Sequence, residues 1–227
     1  MIKLKSKQQM SQSMVLAFFL TFAGGFQDAY SYNMRDEVFA NAQTGNIVLL
    51  GQNLATGQFL TALRYLIPLI AFISGVYISQ LIQQYLKNYN RFHWRQIVLI
   101  FEIIVLIITA FIPRTVTLNI LANFLMSFAC AMQVNSFRKF KEIPCATTMC
   151  IGNLRSATEL FCKYHSTKNR QFLKKSLRYY FIVLIFGIGA SCGAIVSFRL
   201  YERAILIAAG FLLIAFLLMF VKEKNDN

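Results

Sequence analysis

Long apolar runs separated by short, basic, polar connections make up most of the chain. A membrane-spanning helix takes about 20 mostly apolar residues. Six stretches meet that length: 14–33, 62–86, 96–112, 117–137, 177–198 and 203–221. Two further apolar segments, 46–55 after Thr44-Gly45 and 150–162 after Thr147-Thr148, are too short or too polar to cross. They are expected to enter the membrane and return on the same side. The pattern predicts an all-α polytopic membrane protein with six spanning helices plus two short, re-entrant or interrupted ones.

Composition agrees with that pattern. Of 227 residues, 57% are hydrophobic and 14% charged, against about 45–50% and 25% in soluble domains. Disorder, collagen, a coiled coil and a small disulfide scaffold are excluded together. The net charge of +14 sits between the apolar runs instead of forming one basic patch, so nucleic-acid binding is not expected. Basic residues gather in cytoplasmic loops. With the N-terminus inside and both short segments re-entrant, 18 of the 23 Lys and Arg residues fall on the cytoplasmic side. Arg35, Arg64, Arg114, Arg199 and Arg203 are then left outside. If the short segments spanned, this bias would weaken sharply. The expected location is the plasma membrane, multi-pass, with both termini cytoplasmic. Residues 1–13 form a basic N-terminal segment and 222–227 a short tail.

Between them the chain resembles itself. Gly25-Phe26-Gln27-Asp28-Ala29-Tyr30 closes the first span and Thr44-Gly45-Asn46-Ile47 follows; Ala131-Met132-Gln133-Val134-Asn135 closes the fourth span and Ile151-Gly152-Asn153-Leu154 follows. Downstream, Phe72-Ile73-Ser74-Gly75 matches Phe186-Gly187-Ile188-Gly189. Each repeat, 14–115 and 116–221, reads as span, short helix, span, span. Three spans per repeat is an odd number, so the second is expected to be inverted relative to the first. Inverted repeats with interrupted helices recur in transporters, with the solute site near the midplane.

The first motif, Gly25-Phe26-Gln27-Asp28-Ala29 followed by Val38-Phe39-Ala40-Asn41-Ala42-Gln43-Thr44-Gly45-Asn46-Ile47-Val48-Leu49-Leu50-Gly51, resembles the YoaK-like family of bacterial membrane proteins. Thr147-Thr148 with Gly152-Asn153-Leu154 fits that family's second, looser copy, except that Ile151-Gly152 stands where a Thr-Gly pair is usual. The family is catalogued as a domain of unknown function, so the resemblance implies a fold and a location but no activity.

Charged and polar groups at membrane depth are functional candidates because burying them is costly. Asp28 is one, either contacting a cation, proton or solute, or paired with Arg35 or facing the outer headgroups. Gln27 beside it, and Gln133 and Asn135 in the second repeat, occupy matching positions. Asn46 and Asn153 are expected to open the short helices as N-caps, aiming positive helix ends at a cavity. Gly45 and Gly152 would allow close approach or positive φ, and Thr44 offers a hydroxyl at that turn. Glu102 reads as a partner of Arg95, and Glu159 as a partner of Arg155. Gly187, Gly189 and Gly193 form a small-residue face for packing within the bundle or for a homodimer seam. The five cysteines lack a CxxC pair and read as reduced thiols; no metal site or cofactor is expected.

The leading expectation is a small-solute permease or secondary transporter, with its pathway between two inverted repeats near the Gly-Asn turns. Its partners would be the lipid bilayer, a small polar solute and H⁺ or Na⁺. The alternatives are a non-catalytic membrane interaction or assembly protein and, third, an intramembrane lipid-modifying enzyme. The last lacks a nucleophile or metal constellation, so the chain is not expected to be an enzyme.

Overall fold

The computed structural model describes residues 13–86, 94–141 and 143–220. Both termini, with the basic residues that oriented them, and the 87–93 connection lie outside the described residues. The rest is nearly all helix: α1 (Met14–Met34), α2 (Gln43–Ala55), α3 (Phe59–Leu86), α4 (Trp94–Ala110), α5 (Val116–Ser136), α6 (Cys150–Thr167), α7 (Arg170–Leu200) and α8 (Ile205–Leu218). A two-stranded hairpin, β1 (Lys139–Phe140) with β2 (Ile143–Pro144), lies between α5 and α6.

The helices differ from expectation in number and in their ends. A 3₁₀ turn at Tyr201–Ala204 joins α7 to α8, giving one unbroken helical run from Arg170 to Leu218. The described residues therefore hold seven helical runs instead of eight. At the join Tyr201 departs from helical geometry, with φ 51° and ψ −130°. α7 starts well before the apolar stretch at 177, because Asn169 caps it through Gln171 N, 2.9 Å from Asn169 Oδ1. Its basic first turns continue the helix beyond the apolar zone.

Among the described residues, three runs are long and apolar enough to cross a membrane: Phe59–Leu86, Val116–Ser136 and Arg170–Leu218. Six were expected. α4 has only 17 residues, and α1 carries Gln27 and Asp28 in its second half, which dilutes its apolar character.

α1 is the central rod, with Leu16, Ala17, Leu20, Ala23, Phe26 and Tyr30 all buried to within 1%. α7 and α8 pack against it, and α8 also packs on α4. α5 stands in a corresponding place, packed by α3 and α4, while α2 lies on α3 and α6 on α7. Large apolar side chains such as Ile73, Phe111, Leu184 and Leu217 face outward, whereas Gln27, Arg35, Glu102, Asn123 and Gln133 are buried. An apolar exterior around a polar interior is the reverse of a soluble domain.

The glycines fix the closest helix approaches. A Cβ at Gly189 on α7 would collide with the Phe22 carbonyl oxygen of α1, and one at Gly193 with that of Phe26. A Cβ at Gly75 on α3 would likewise collide with the Phe128 carbonyl oxygen of α5. Gly189 and Gly193 are thus spent inside the bundle, whereas Gly187 meets nothing.

Candidate functional site

The site is built by two chain segments that turn back along the helices preceding them. After α1, Asp36 and Glu37 both adopt left-handed φ, 61° and 59°, and reverse the chain. The returning segment is bonded at every step: Ala40 N–H donates to Ser31 Oγ (3.0 Å), Asn41 N–H to Asp28 Oδ1 (2.6 Å), and Asn41 Nδ2 to the Gly24 carbonyl (3.3 Å). Gly24 is at the middle of α1, so α2 begins halfway down its neighbour. Phe39 stacks on Tyr32 with ring centres 4.8 Å apart.

The second segment follows α5 through the hairpin. Cys145 N–H donates to the Arg138 carbonyl (3.1 Å) and Tyr179 Oη to that of Pro144 (2.6 Å). Thr148, just before α6, brings its methyl group against Gly24. α2 and α6 therefore both begin beside the middle of α1.

Asn46 and Asn153 do not cap these helices, which begin three residues earlier, at Gln43 and Cys150. Each instead staples the incoming strand to the first turn. Asn46 Nδ2 donates to the Phe39 carbonyl (2.8 Å) while its Oδ1 accepts from Phe39 N–H (3.0 Å); Asn153 Nδ2 donates to the Ala146 carbonyl (2.7 Å). Neither Gly45 nor Gly152 has positive φ. Gly45 lies under the Phe39 ring, but Gly152 faces open space. Thr44 is exposed on the outer side of its turn.

Gln27 and Gln133 meet at a residue read from sequence as a surface ion-pair partner. Glu102, at the middle of α4, has no exposed surface. Gln27 Nε2 donates to its Oε1 (3.1 Å), and the Cys130 thiol donates to Gln27 Oε1 (2.9 Å). One end of the Gln133 amide lies 2.8 Å from Glu102 Oε2 and 3.1 Å from Oε1. The other end lies 3.4 Å from Thr147 Oγ1. Arg95 bonds the Ser136 carbonyl (3.0 Å) and covers the rings of Trp94 and Phe137, so the expected Arg95–Glu102 pair is replaced by this amide cradle. The sequence signal that could have found it is position: Glu102 is the central residue of a span.

Asp28 is not paired with Arg35; its carboxylate is occupied by the Asn41 N–H. Asn135 belongs to a different contact, donating to Ser79 Oγ (2.6 Å) on α3. It lines a cavity of about 420 Å³ with Phe72, Val76, Arg138 and Ala146. At the matching offset in the first half, Tyr32 and Phe39 stand where Arg138 and Ala146 stand in the second, and their rings are stacked. Arg155 and Glu159 form the expected i,i+4 pair at 2.8 Å, both well exposed.

The Asp28 bond has a measurable consequence. Asp28→Ala leaves the buried Asn41 N–H without an acceptor, at about 1–3 kcal/mol, whereas Asp28→Asn retains an oxygen there. Thermal unfolding in detergent should show a lowered Tm for the alanine variant and a smaller change for asparagine. Equal losses would mean that the carboxylate charge, not the bond, holds the segment.

An apolar-faced helical bundle with two chain segments pinned at the middle of its central helix is a membrane-type protein with an internal polar site. The chain belongs to the family described as protein of unknown function (DUF1275), whose profile matches residues 16–218; this is the YoaK-like family indicated by the Gly25–Asp28 and Thr44–Asn46 motifs. No curated protein and no solved structure matches the chain.

Proposed function

We propose that this protein is a plasma-membrane permease or secondary transporter for a small polar solute. α1, α3, α4, α5, α7 and α8 span, both termini are cytoplasmic, and α1–α4 and α5–α8 are inverted halves. The pathway runs between the halves past Gln27, Asp28, Gln133 and the two Asn-stapled turns, and H⁺ or Na⁺ is the coupling ion.

The observation that carries this reading is that both short helices start beside Gly24. At 1.5 Å per residue, α2 with its 13 residues is about 20 Å long, too short for a core of about 30 Å. Non-helical backbone at that depth is tolerated where it is buried in protein or lines a water-filled cavity. The inverted-halves reading is supported by equivalent contacts in the two halves: Gly189 on Phe22 with Gly75 on Phe128, and Asn46 on Phe39 with Asn153 on Ala146. The cavity of about 420 Å³ beside Asn135 and Arg138 gives a small solute room next to the second Asn-stapled turn.

Side-specific thiol labelling tests the topology. In a cysteine-free background, Gly57→Cys should react with an impermeant reagent in intact cells, and Lys141→Cys only after permeabilisation. Gly57 lies in an exposed turn with nothing within 4 Å, so the probe meets no packing and its cost is the strain of a side chain at φ 72°. Protection of both positions in intact cells would mean that α2 crosses. The halves would then be parallel, and an interaction or assembly protein would become the better reading.

A further inference from the structure

We propose that Glu102 binds a proton, and that the Gln133 amide reads its state and passes it to Thr147 at the mouth of α6. This deepens the permease reading, on which its transport meaning rests, by naming the coupling ion as a proton.

Glu102 is completely buried, and its partners are amides. No cation is bonded to it among the described residues. An ionised carboxylate in such a site is costly unless paired, and such groups commonly neutralise by taking up a proton. The ionisable groups around it are few. α1 contributes Asp28, next to Gln27, and α5 contributes Cys130, whose proton is directed at Gln27 Oε1. α8 has no ionisable residue from Ile205 to Leu218. On α3, none of Arg64, Tyr65, Tyr77 and Tyr85 is bonded to Glu102, and on α4 itself Arg95 reaches the Ser136 carbonyl. A sodium ion needs oxygen ligands, but Gln27 must turn its NH₂ towards Glu102, because its oxygen accepts the Cys130 thiol.

The two glutamines differ in freedom. Gln27 is fixed by that thiol, whereas Gln133 can be oriented either way, since its oxygen and nitrogen are distinguished only by their bonding partners. With Glu102 ionised, Gln133 Nε2 donates to the carboxylate across the 2.8 and 3.1 Å contacts. With Glu102 protonated on Oε2, its hydroxyl donates to Gln133 Oε1 across the same 2.8 Å, an ordinary O–H···O length. The Gln133 Nε2 then faces Thr147 Oγ1 at 3.4 Å. One proton on Glu102 thus reverses the bond to the segment carrying Thr147 and Thr148: the Thr147 hydroxyl accepts from Gln133 Nε2 when Glu102 is protonated and donates to Gln133 Oε1 when it is ionised. Thr147 is buried, and Thr148 lies against Gly24, so the bond acts where α6 begins.

The test uses the purified full chain in lipid vesicles with no solute present. Infrared difference spectra are recorded across about pH 4 to 9, the range over which glutamates titrate in proteins. Once the signals of the other carboxyls are assigned, that of Asp28 with Asp28→Asn, one further protonated-carboxyl band should appear on acidification and be lost in Glu102→Gln, while Cys130→Ala keeps it. Backbone hydrogen exchange of the 146–152 segment, corrected for its intrinsic pH dependence, should differ between the two states, because Thr147 accepts in one and donates in the other. Glu102→Gln should hold the protonated-state value at every pH, because its NH₂ can donate to Gln133 as the acid does. Gln133→Leu should keep the band and lose the exchange difference. A wild-type protein without the band, a band that survives Glu102→Gln, or an exchange difference that survives Gln133→Leu overturns the proposal. Should Glu102→Gln not accumulate folded, Gln27→Leu removes a donor from the carboxylate and must move the band's midpoint to higher pH; an unmoved midpoint overturns the site. The band is read without transport, so a failed labelling result at Gly57 would remove the permease reading and leave the proton site standing.

Discussion

Replacing Gly189 or Gly75 with alanine should destabilise the protein severely, while the same change at Gly187 should not. The added Cβ at Gly189 meets the Phe22 carbonyl oxygen, and that at Gly75 meets the Phe128 carbonyl oxygen. In both cases the obstacle is helix backbone, which cannot rotate aside as a side chain can, so the helices must move apart. Overpacking in a tight core costs about 1–3 kcal/mol and occasionally more, and the upper end applies here. Gly187 has nothing within 4 Å, so alanine there gains helix propensity, up to about 1 kcal/mol. Thermal unfolding of the three purified variants measures this: two lowered midpoints and one unchanged or raised. If Gly75→Ala were neutral while Gly189→Ala was damaging, the α3–α5 contact would not be the counterpart of α1–α7, and the inverted-halves reading would lose its best packing argument.

How far the sequence could be read follows from which interactions are local. Helical character and the apolar exterior are carried by runs of neighbouring residues, so each expected segment falls on observed helix, although α6 and α7 extend 5 and 7 residues beyond the expected bounds 162 and 177. The Gln27 and Gln133 match was also visible, because both sit at fixed positions in a repeated motif. The partner they share was not. Glu102 is far away in the chain, and its nearest basic residue, Arg95, offered a local explanation that the fold does not use. The asparagines were misjudged for a related reason. Asn favours the N-cap, so Asn46 and Asn153 looked like helix openers. Their actual bonds reach back seven residues to Phe39 and Ala146, which only a returning chain brings near. The break expected between the spans 177–198 and 203–221 is bridged by a 3₁₀ turn over Tyr201–Ala204 that keeps the run helical.

Arg35→Met should be the most damaging single change in the chain. Arg35 was counted among the outside loop charges, but it has no exposed surface. Its Nε and Nη2 donate to Tyr30 Oη (3.2 and 3.0 Å), Nη2 also to the Thr109 and Ile112 carbonyls (both 2.9 Å), and Nη1 to Asn119 Oδ1 (3.0 Å). The Thr109 carbonyl lies in the last turn of α4 and that of Ile112 just beyond it, at the end where a cation is favoured by the helix dipole. One side chain from the end of α1 thus closes α4 and, through Asn119, holds the start of α5. Asn123 Nδ2 donates to the Arg35 carbonyl (2.7 Å) and fixes the residue from the other side. Methionine keeps much of the volume but removes every donor, and each buried acceptor left unpaired costs about 1–3 kcal/mol. Several such losses together approach the 5–15 kcal/mol that holds an ordinary domain folded, so the variant should not accumulate as folded protein. Arg35→Lys restores the charge without the planar fork, and a single ammonium cannot span acceptors on three helices; it should fold with a clearly lowered Tm. These two variants separate a structural clamp from a solute-binding cation. A clamp loses stability in the order arginine, lysine, methionine, and any activity falls with it. A lysine variant as stable as wild type but inactive would instead place Arg35 in the pathway.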